Sequence, residues 1–320
     1  MSSPLLSVVV PVYFGELVIG KTYERLKQVL LGLEPGCRHE IIFINDGSTD
    51  RSFEILSDLS RQDPDVRIVE FSRNFGHQIA VTAGMDYAKG DAVIVIDDDL
   101  QDPPEVIPTM VAKWKEGYKV VYGVRAKRKG EGVFKVLTAS IFYRLLNKLS
   151  DINLPLDVGD FRLMDRSVIN TLRDMREQSR YIRGLVAWVG FKQCGIPYER
   201  DIRYAGKTNY TLRKMVMFAL DGIISFSDKP LRLTGHFGLL VTTLSVLAAI
   251  WLIVGRITNP QSAVPGWTSL SIAVLFLGGV QLISIGVLGE YIGRIFRETK
   301  QRPLYVVADK LGFGENKDSQ

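Results

Sequence analysis

Hydrophobic positions follow two different rules along this chain. Up to residue 125, short runs rich in Val and Ile, at residues 6–12, 40–45, 66–71, 93–96 and 119–123, are separated by stretches whose apolar residues recur every three or four positions. The runs read as strands buried on both faces, and the stretches between them, 23–33, 78–89 and 105–116 among them, read as helices. After Asn45 comes Asp46-Gly47-Ser48-Thr49-Asp50, in which Ser48 or Asp50 can cap a further helix. Strands alternating with helices predict an α/β fold, a mostly parallel sheet with right-handed crossovers. Residues 133–149 predict an amphipathic helix, and 158–164 a short apolar element around one acid, Asp160.

The rule changes after residue 210. Residues 212–226 place apolar side chains at helical spacing with cations near the start, the pattern of a core helix or of one lying in a membrane interface. Residues 233–254 and 268–289 then carry no formal charge, and each stretch is about 22 residues long, enough to cross a bilayer core. Lys229 and Arg232 precede the first stretch, and Arg294, Arg297, Lys300 and Arg302 follow the second, whereas the loop between them holds only Arg256. By the positive-inside rule both ends of this hairpin are cytoplasmic, with Trp251 and Trp267 near the outer interface. The expected organisation is a cytoplasmic α/β domain over 1–210, an amphipathic juxtamembrane segment over 211–230, two transmembrane helices within 231–293, and a cytoplasmic tail over 294–320.

Composition narrows the function classes. With 320 residues, 46% of them hydrophobic, the chain can bury a large core besides the hairpin. A net charge of +5 comes without any basic-aromatic pattern, which argues against a nucleic-acid partner. Cys37 and Cys194 are too few for a disulfide framework or a cysteine metal site and fit a reducing compartment. Met1-Ser2-Ser3-Pro4 has no basic leader, so no signal peptide is expected.

The candidate chemistry centres on Val93-Ile94-Val95-Ile96-Asp97-Asp98-Asp99-Leu100-Gln101-Asp102-Pro103-Pro104-Glu105. Ligands of open parallel sheets bind at the carboxyl ends of the strands, and strand alternation would send Asp97 and Asp99 to one side with Gln101 following. Two carboxylates and an amide oxygen form a hard, incomplete shell suited to Mg2+ or Mn2+ shared with a phosphorylated substrate; the competing reading is a solvated acidic turn. Arg125, directly after a strand, offers a planar donor fork to a diphosphate, whereas Lys127 and Lys129 fit a solvated face. Asp160, between Gly159 and Phe161, is expected to be partly buried and poised. His77 stands alone in a loop, without a second histidine or cysteine at ligand spacing, and reads as structural.

Taken together, Val10-Pro11-Val12-Tyr13, Ile44-Asn45-Asp46-Gly47-Ser48, Ser72-Arg73-Asn74-Phe75-Gly76, the run 97–105, the stretch 158–164 and Leu288-Gly289-Glu290-Tyr291-Ile292-Gly293-Arg294 resemble the family 2 glycosyltransferases of the GT-A (Rossmann-like) fold, specifically the polyprenyl-phosphate glycosyltransferases. That group includes dolichol-phosphate mannose synthase and the bacterial bactoprenol glucosyltransferases, and the two-helix tail is similar to the bacterial members. The resemblance implies that Pro11, Tyr13 and Asp46 hold base and ribose, that Asp98 and Arg125 complete the nucleotide-sugar site, and that Asp97, Asp99 and Gln101 surround Mg2+ or Mn2+. It assigns the acceptor phosphate to Arg203, Lys207 and Lys135, and places Asp160 near the reacting centre as base or orienting group. Two departures stand out: Tyr13-Phe14-Gly15-Glu16 where the family reads Tyr-Asn-Glu, and Thr208-Asn209 where it often has Ser/Thr-Lys.

The implied reaction is an inverting transfer of a sugar from a nucleotide sugar, uridine-linked by analogy with the bacterial members, to polyprenyl phosphate at the bacterial inner membrane. A downstream flippase and a second glycosyltransferase are the implied partners, and a homo-oligomer is left open. A processive polysaccharide synthase is disfavoured because no Gln-x-x-Arg-Trp motif follows Asp160, and a non-catalytic nucleotide-sugar-binding membrane subunit because the acids are retained.

Overall fold

The computed structural model describes residues 3–33, 37–125, 158–201, 229–258 and 266–313. Lys135, Arg203 and Lys207, and the helices expected over 133–149 and 212–226, lie outside the described residues. The chain divides into two compact units, one containing residues 1–144, 152–215 and 302–320, the other 145–151 and 216–301.

The first unit is built on an eight-stranded mixed sheet with flanking helices. Its strands are β1 (Leu5–Val12), β2 (Arg38–Asn45), β3 (Val66–Phe71), β4 (Ala92–Val95), β5 (Val120–Arg125), β6 (Val158–Asp165), β7 (Gln193–Tyr198) and β8 (Val307–Leu311). Its helices are α1 (Ile19–Leu31), α2 (Ser52–Gln62), α3 (His77–Tyr87), α4 (Ile107–Lys115, after a tight turn at Pro104–Val106), α5 (Arg166–Asp174) and α6 (Ile182–Trp188). The apolar runs expected as strands are strands. His77, expected in a loop, is the first residue of α3. The residue at the capping position of α2 is Arg51, and Asp50 instead accepts the Ser52 N–H at 3.1 Å from one residue further out.

Strand order is β7-β5-β6-β4-β1-β2-β3-β8. β4, β1, β2 and β3 are mutually parallel, and β5 pairs parallel with β7. β6 is inserted antiparallel between β4 and β5, and β8 adds antiparallel to the outer edge of β3. Val8, Val10, Phe43, Ile68, Ile94 and Leu163 are completely buried, which explains the unbroken apolar runs. α3 approaches β1 so closely that a Cβ on Gly84 would lie 2.0 Å from Val9 Cγ1. β8 comes from residues that the sequence sets apart as a tail.

The second unit contains α7 (Lys229–Thr258) and α8 (Trp267–Thr299), two helices long and apolar enough to cross a membrane. Leu239, Ile250, Leu282 and Ile285 each expose more than half of their surface. Thr242, Thr243, Ser245 and Ser284 turn their hydroxyls back onto carbonyls one turn earlier, at 2.8–2.9 Å. That habit gives each hydroxyl a partner within its own helix.

Glu70, near the end of β3, is paired with Asp309 of β8. Burial raises its carboxyl to about 7, a bond from Asn45 offsets only part of this, and the Asp309 charge adds to it. An unfolded glutamate titrates near 4.5, so ionisation between pH 4.5 and about 7 disfavours the folded state, and the whole cost is present above 7. Glu70→Gln should match the parent below pH 4.5 and exceed it above pH 7 by about 1–3 kcal/mol, read from denaturant melts at the two pH values.

Candidate active site

The reversal of β6 builds the site. Val95 of β4 pairs with Arg162 of β6, and continuing that antiparallel register past the end of β4 sets Asp97 opposite Asp160. β6 begins where β4 and β5 end, so an acid near its start reaches the carboxyl edge of the parallel strands. On the other side β5 ends at Arg125, whose Nη2 lies 2.7 Å from where a Cβ of Gly159 would stand. A side chain at 159 would displace the guanidinium from this position.

β4 stops at Val95, earlier than the apolar run implies, so strand alternation does not orient the acids that follow. A turn does. Leu100, buried and with φ 57°, reverses the chain, and Asp99 Oδ1 accepts the Gln101 N–H at 3.1 Å. Asp97 and Asp98 diverge: Asp97 Oδ1 stands 3.6 Å from His77 Nε2, whereas Asp98 Oδ2 lies 2.8 Å from where a Cβ of Gly15 would be. Asp98 is fixed through its carbonyl, which accepts from Thr22 Oγ1 at 2.9 Å. Gln101 is buried.

These acids are not electrostatically alike. Burial raises Asp98 to about 7, with Asp97 and Asp99 adding to the shift, and raises Asp97 to about 6 although His77 pulls the other way. Asp97 keeps 26% of its side chain exposed, yet its Oδ1 is shut off from solvent and accepts no hydrogen bond. Asp160 is the opposite case. Burial opposes its charge, but Arg183 and His77 more than compensate and hold the carboxyl well below the usual range. Arg183 grips it with both arms, Nε to Oδ1 at 2.8 Å and Nη2 to Oδ2 at 3.0 Å, while His77 Nε2 lies 3.2 Å from Oδ2. Desolvation by its surroundings works against the charge, but Asp97 and Asp160 push the His77 imidazole, 42% of whose side chain is exposed, up to about 9. Gln78 bridges the group, its Oε1 accepting the Ile182 N–H at 3.0 Å and its Nε2 standing 3.5 Å from Asp160.

Arg125 belongs to a second buried set. Asp102, wholly buried, accepts a short hydrogen bond from the Tyr198 hydroxyl and lies 3.7 Å from Arg200 Nε. Burial works against the Arg125 charge, but Tyr198 and Asp102 favour it and leave its pKa raised. The guanidinium is therefore ionised and tethered at the same edge as the acids.

The loops after β1 and β2 close the other side. Tyr13 and Phe14 are half exposed, their rings 4.4 Å apart, and Phe14 is held at φ 56°. Its N–H reaches Ser48 Oγ at 3.1 Å, that of Gly15 reaches Ser52 Oγ at 3.0 Å, and Glu16 accepts the Arg51 N–H at 3.2 Å. Pro11 is buried in β1. Asp46 is buried and accepts from Phe75 N at 2.6 Å, Gly76 N at 2.9 Å and Asn74 Nδ2 at 3.0 Å. It thereby fixes the turn that launches α3 and carries His77.

The structure thus brings Asp97, Asp98, Asp160 and Arg125 to one edge and adds His77, Arg183, Tyr198 and Asp102, which sequence reasoning did not place there. Such an edge can hold a cation and an anion side by side. Among the described residues no three His, Cys, Asp or Glu side chains converge as a self-sufficient metal site. The orphaned Asp97 oxygen and the raised Asp97 and Asp98 nevertheless mark carboxyl groups whose charge the protein compensates only in part, through His77, and an oxygen-only set fits a hard divalent cation.

Residues 7–173 match Glycosyl transferase family 2, and residues 229–295 match the GtrB C-terminal hairpin. A Bacillus subtilis protein named uncharacterized glycosyltransferase YkcC is 53% identical over 97% of this chain and 95% of its own length. The bactoprenol glucosyl transferase of Shigella phage SfV is 44% identical over 95% of this chain and 98% of its own. The prophage bactoprenol glucosyl transferase homolog of Escherichia coli is 43% identical over 94% and 98%. Among solved structures, S. aureus TarS in complex with UDP-GlcNAc is similar at a TM-score of 0.48, with 17% identity over 69% of this chain and 65% of that one.

Removing one partner of a buried ion pair strands the other. Arg183→Ala should therefore destabilise the protein by about 3–5 kcal/mol at neutral pH, and Asp160→Asn in the same chain should restore part of the loss. Asp160 contributes through a lowered pKa, so its contribution is complete above the unfolded value near 3.8 and disappears as the pH falls through its folded value. Denaturant melts at pH 7 and at acid pH check both the size and the sign.

Proposed function

This chain belongs to glycosyl transferase family 2, and on that footing we propose that it moves a glucosyl residue from a nucleotide sugar, UDP-glucose, to polyprenyl phosphate with inversion at the anomeric carbon. The observation that carries the proposal is the pair of only partly compensated carboxyl groups, Asp97 and Asp98, at the sheet edge that also holds an ionised Arg125, on a chain that also has the GtrB-type hairpin. The names of the phage and Escherichia coli relatives supply glucose and the polyprenyl acceptor.

In this reading Tyr13, Pro11 and Asp46 receive base and ribose, and Arg125, with Asp98, the diphosphate and sugar. Asp97, Asp99 and Gln101 would hold Mg2+ or Mn2+, which when bound would neutralise charge on the departing diphosphate. Arg203, Lys207 and Lys135 are assigned to the acceptor phosphate on sequence alone. A phosphate monoester has a second pKa of about 6, so its oxygen attacks at neutral pH without a general base. A phosphate oxygen bonds to the anomeric carbon as the bond to the diphosphate oxygen breaks, and that electron pair leaves with the nucleoside diphosphate. Asp160, with both oxygens engaged by Arg183 and His77, acts as an orienting and electrostatic group rather than a proton acceptor.

The exposed apolar surfaces of α7 and α8 support insertion in a membrane, since contiguous surfaces of this kind are not stable in water. The cations flanking them support an inner-membrane hairpin with both ends cytoplasmic. A downstream flippase and a second glycosyltransferase complete the proposed setting, with the oligomeric state left open.

The purified chain incubated with UDP-glucose, undecaprenyl phosphate and Mg2+ or Mn2+ should yield a glucosylated lipid phosphate, and Asp97→Asn should abolish the product. Full turnover in excess chelator would remove the metal assignment, and no transfer from any nucleotide hexose would remove the function.

Arg125→Ala should raise the KM for the nucleotide sugar by roughly 10- to 150-fold, the effect of one lost charge-assisted contact, and leave that for the lipid phosphate nearly unchanged. A two-substrate kinetic matrix reads both constants. For topology, tags at either terminus should be cleaved by protease only from the cytoplasmic side, and tags on opposite faces would show that one span is misassigned.

A further inference from the structure

We propose that Tyr305 is a positioning residue for the donor half of the site, fixing from behind the loop and helix that carry Asp46's partners and His77. The proposal rests on reading the Asp97–Asp160 edge as a glycosyl-transfer site. Tyr305 precedes β8, in a stretch that follows α8.

The strand β8 by itself needs only its ladder to β3. Tyr305 does something different: its contacts fall on both ends of the segment that carries His77. At the near end its ring stacks on Phe71, the last residue of β3, with centroids 5.1 Å apart and an interplanar angle of 18°. Phe71 in turn meets Phe75 edge-on at 5.5 Å, and the carbonyl of Val306 accepts the Ser72 N–H at 3.0 Å. Ser72 and Phe75 bracket the turn whose amides at Phe75 and Gly76 donate to Asp46. At the far end the Tyr305 hydroxyl donates to Asp86 Oδ2 at 2.9 Å, in the last turn of α3. Asp86 is itself held by both arms of Arg176, at 2.7 and 3.0 Å, and Gln178 binds the Arg302 carbonyl at 2.7 Å.

α3 is thus pinned at its C-terminal turn and at the loop before its first residue, and that first residue is His77, 3.2 Å from Asp160. A short helix gripped at both ends cannot slide along its axis or rotate without breaking one of these bonds. Loosening Tyr305 would release the Phe75 and Gly76 amides from Asp46 and let His77 move off Asp160. Each of these contacts leads to Asp46 or His77, on the side that the reading above gives to the donor, so the effect is expected in donor binding.

The test uses the full-length chain with Tyr305→Ala and Tyr305→Phe. Hydrogen exchange at the Phe75 and Gly76 amides, measured without substrate, should be about tenfold faster in Tyr305→Ala and close to parent in Tyr305→Phe, which keeps the ring stack. In steady-state assays with UDP-glucose and undecaprenyl phosphate, Tyr305→Ala should raise the donor KM by about tenfold and Tyr305→Phe, which loses only the bond to Asp86, by about threefold, and both should leave the acceptor KM within about twofold. Unchanged exchange at those amides overturns the proposal, as does an equal shift of both KM values, which would mark a general loss of folding. If the alanine variant does not fold, a donor KM raised about threefold in Tyr305→Phe sustains the proposal, and a parental value overturns it. A parent chain that does not turn over UDP-glucose sinks the glycosyl-transfer reading instead, and the exchange result then stands apart from it.

Discussion

The pairing of Asp160 with Arg183 and His77 is what allows several carboxylates to share one edge of a sheet. Two like charges about 4 Å apart repel by roughly 4 kcal/mol at the effective dielectric of a protein site. Without compensation the group would take up protons. The chain concentrates its compensation on a single acid, Asp160, and leaves Asp97 and Asp98 with raised pKa values. Neighbouring carboxyl groups are thereby driven to opposite behaviours by their surroundings, one locked as an anion and the others receptive to a cation. The asymmetry follows from where the cations stand: Arg183 at the start of α6 and His77 at the start of α3 both bond Asp160, and Asp97 receives only the weaker approach of His77 at 3.6 Å.

That arrangement depends on one topological choice. A β6 parallel to its neighbours would carry Asp160 to the amino edge of the sheet, far from the turn after β4. Running antiparallel, it delivers Asp160, Gly159 and the Arg125 contact together, since its start coincides with the ends of β4 and β5. Gly159 leaves open the volume that the Arg125 guanidinium occupies. The same economy appears at Asp46, whose carboxylate organises the Asn74–Gly76 turn and so determines where α3 begins.

The parallel strands were legible because burial on both faces demands continuous apolar runs, and the hairpin was legible because a bilayer imposes a minimum length. The direction of β6 left no comparable trace: Val158 to Met164 would be equally apolar in either sense. Ile96 extended the apparent run beyond Val95, which hid the turn that orients Asp97 and Asp98. His77 offered no ligand partner nearby in sequence, because its partners lie at Asp97 and Asp160. Arg183, in the first turn of a short apolar helix, carries no local mark of its partner, which lies 23 residues away. β8, Val-Ala-Asp-Lys-Leu, is a mostly exposed edge strand with two charges, so no periodicity separated it from a solvated tail.

β8 also constrains how the two halves of the chain relate by connectivity. The chain leaves the first unit before Lys229 and rejoins it at Arg302, where the returning strand is hydrogen-bonded into the sheet. Whatever lies between must therefore start and finish on the same side of any barrier it enters. Two crossings satisfy this and one does not. A water-soluble donor and an acceptor whose long chain stays in lipid can meet only at the membrane surface. On the proposed reading of α7 and α8 as a membrane hairpin, the chain returns from it into the sheet through β8 instead of ending there.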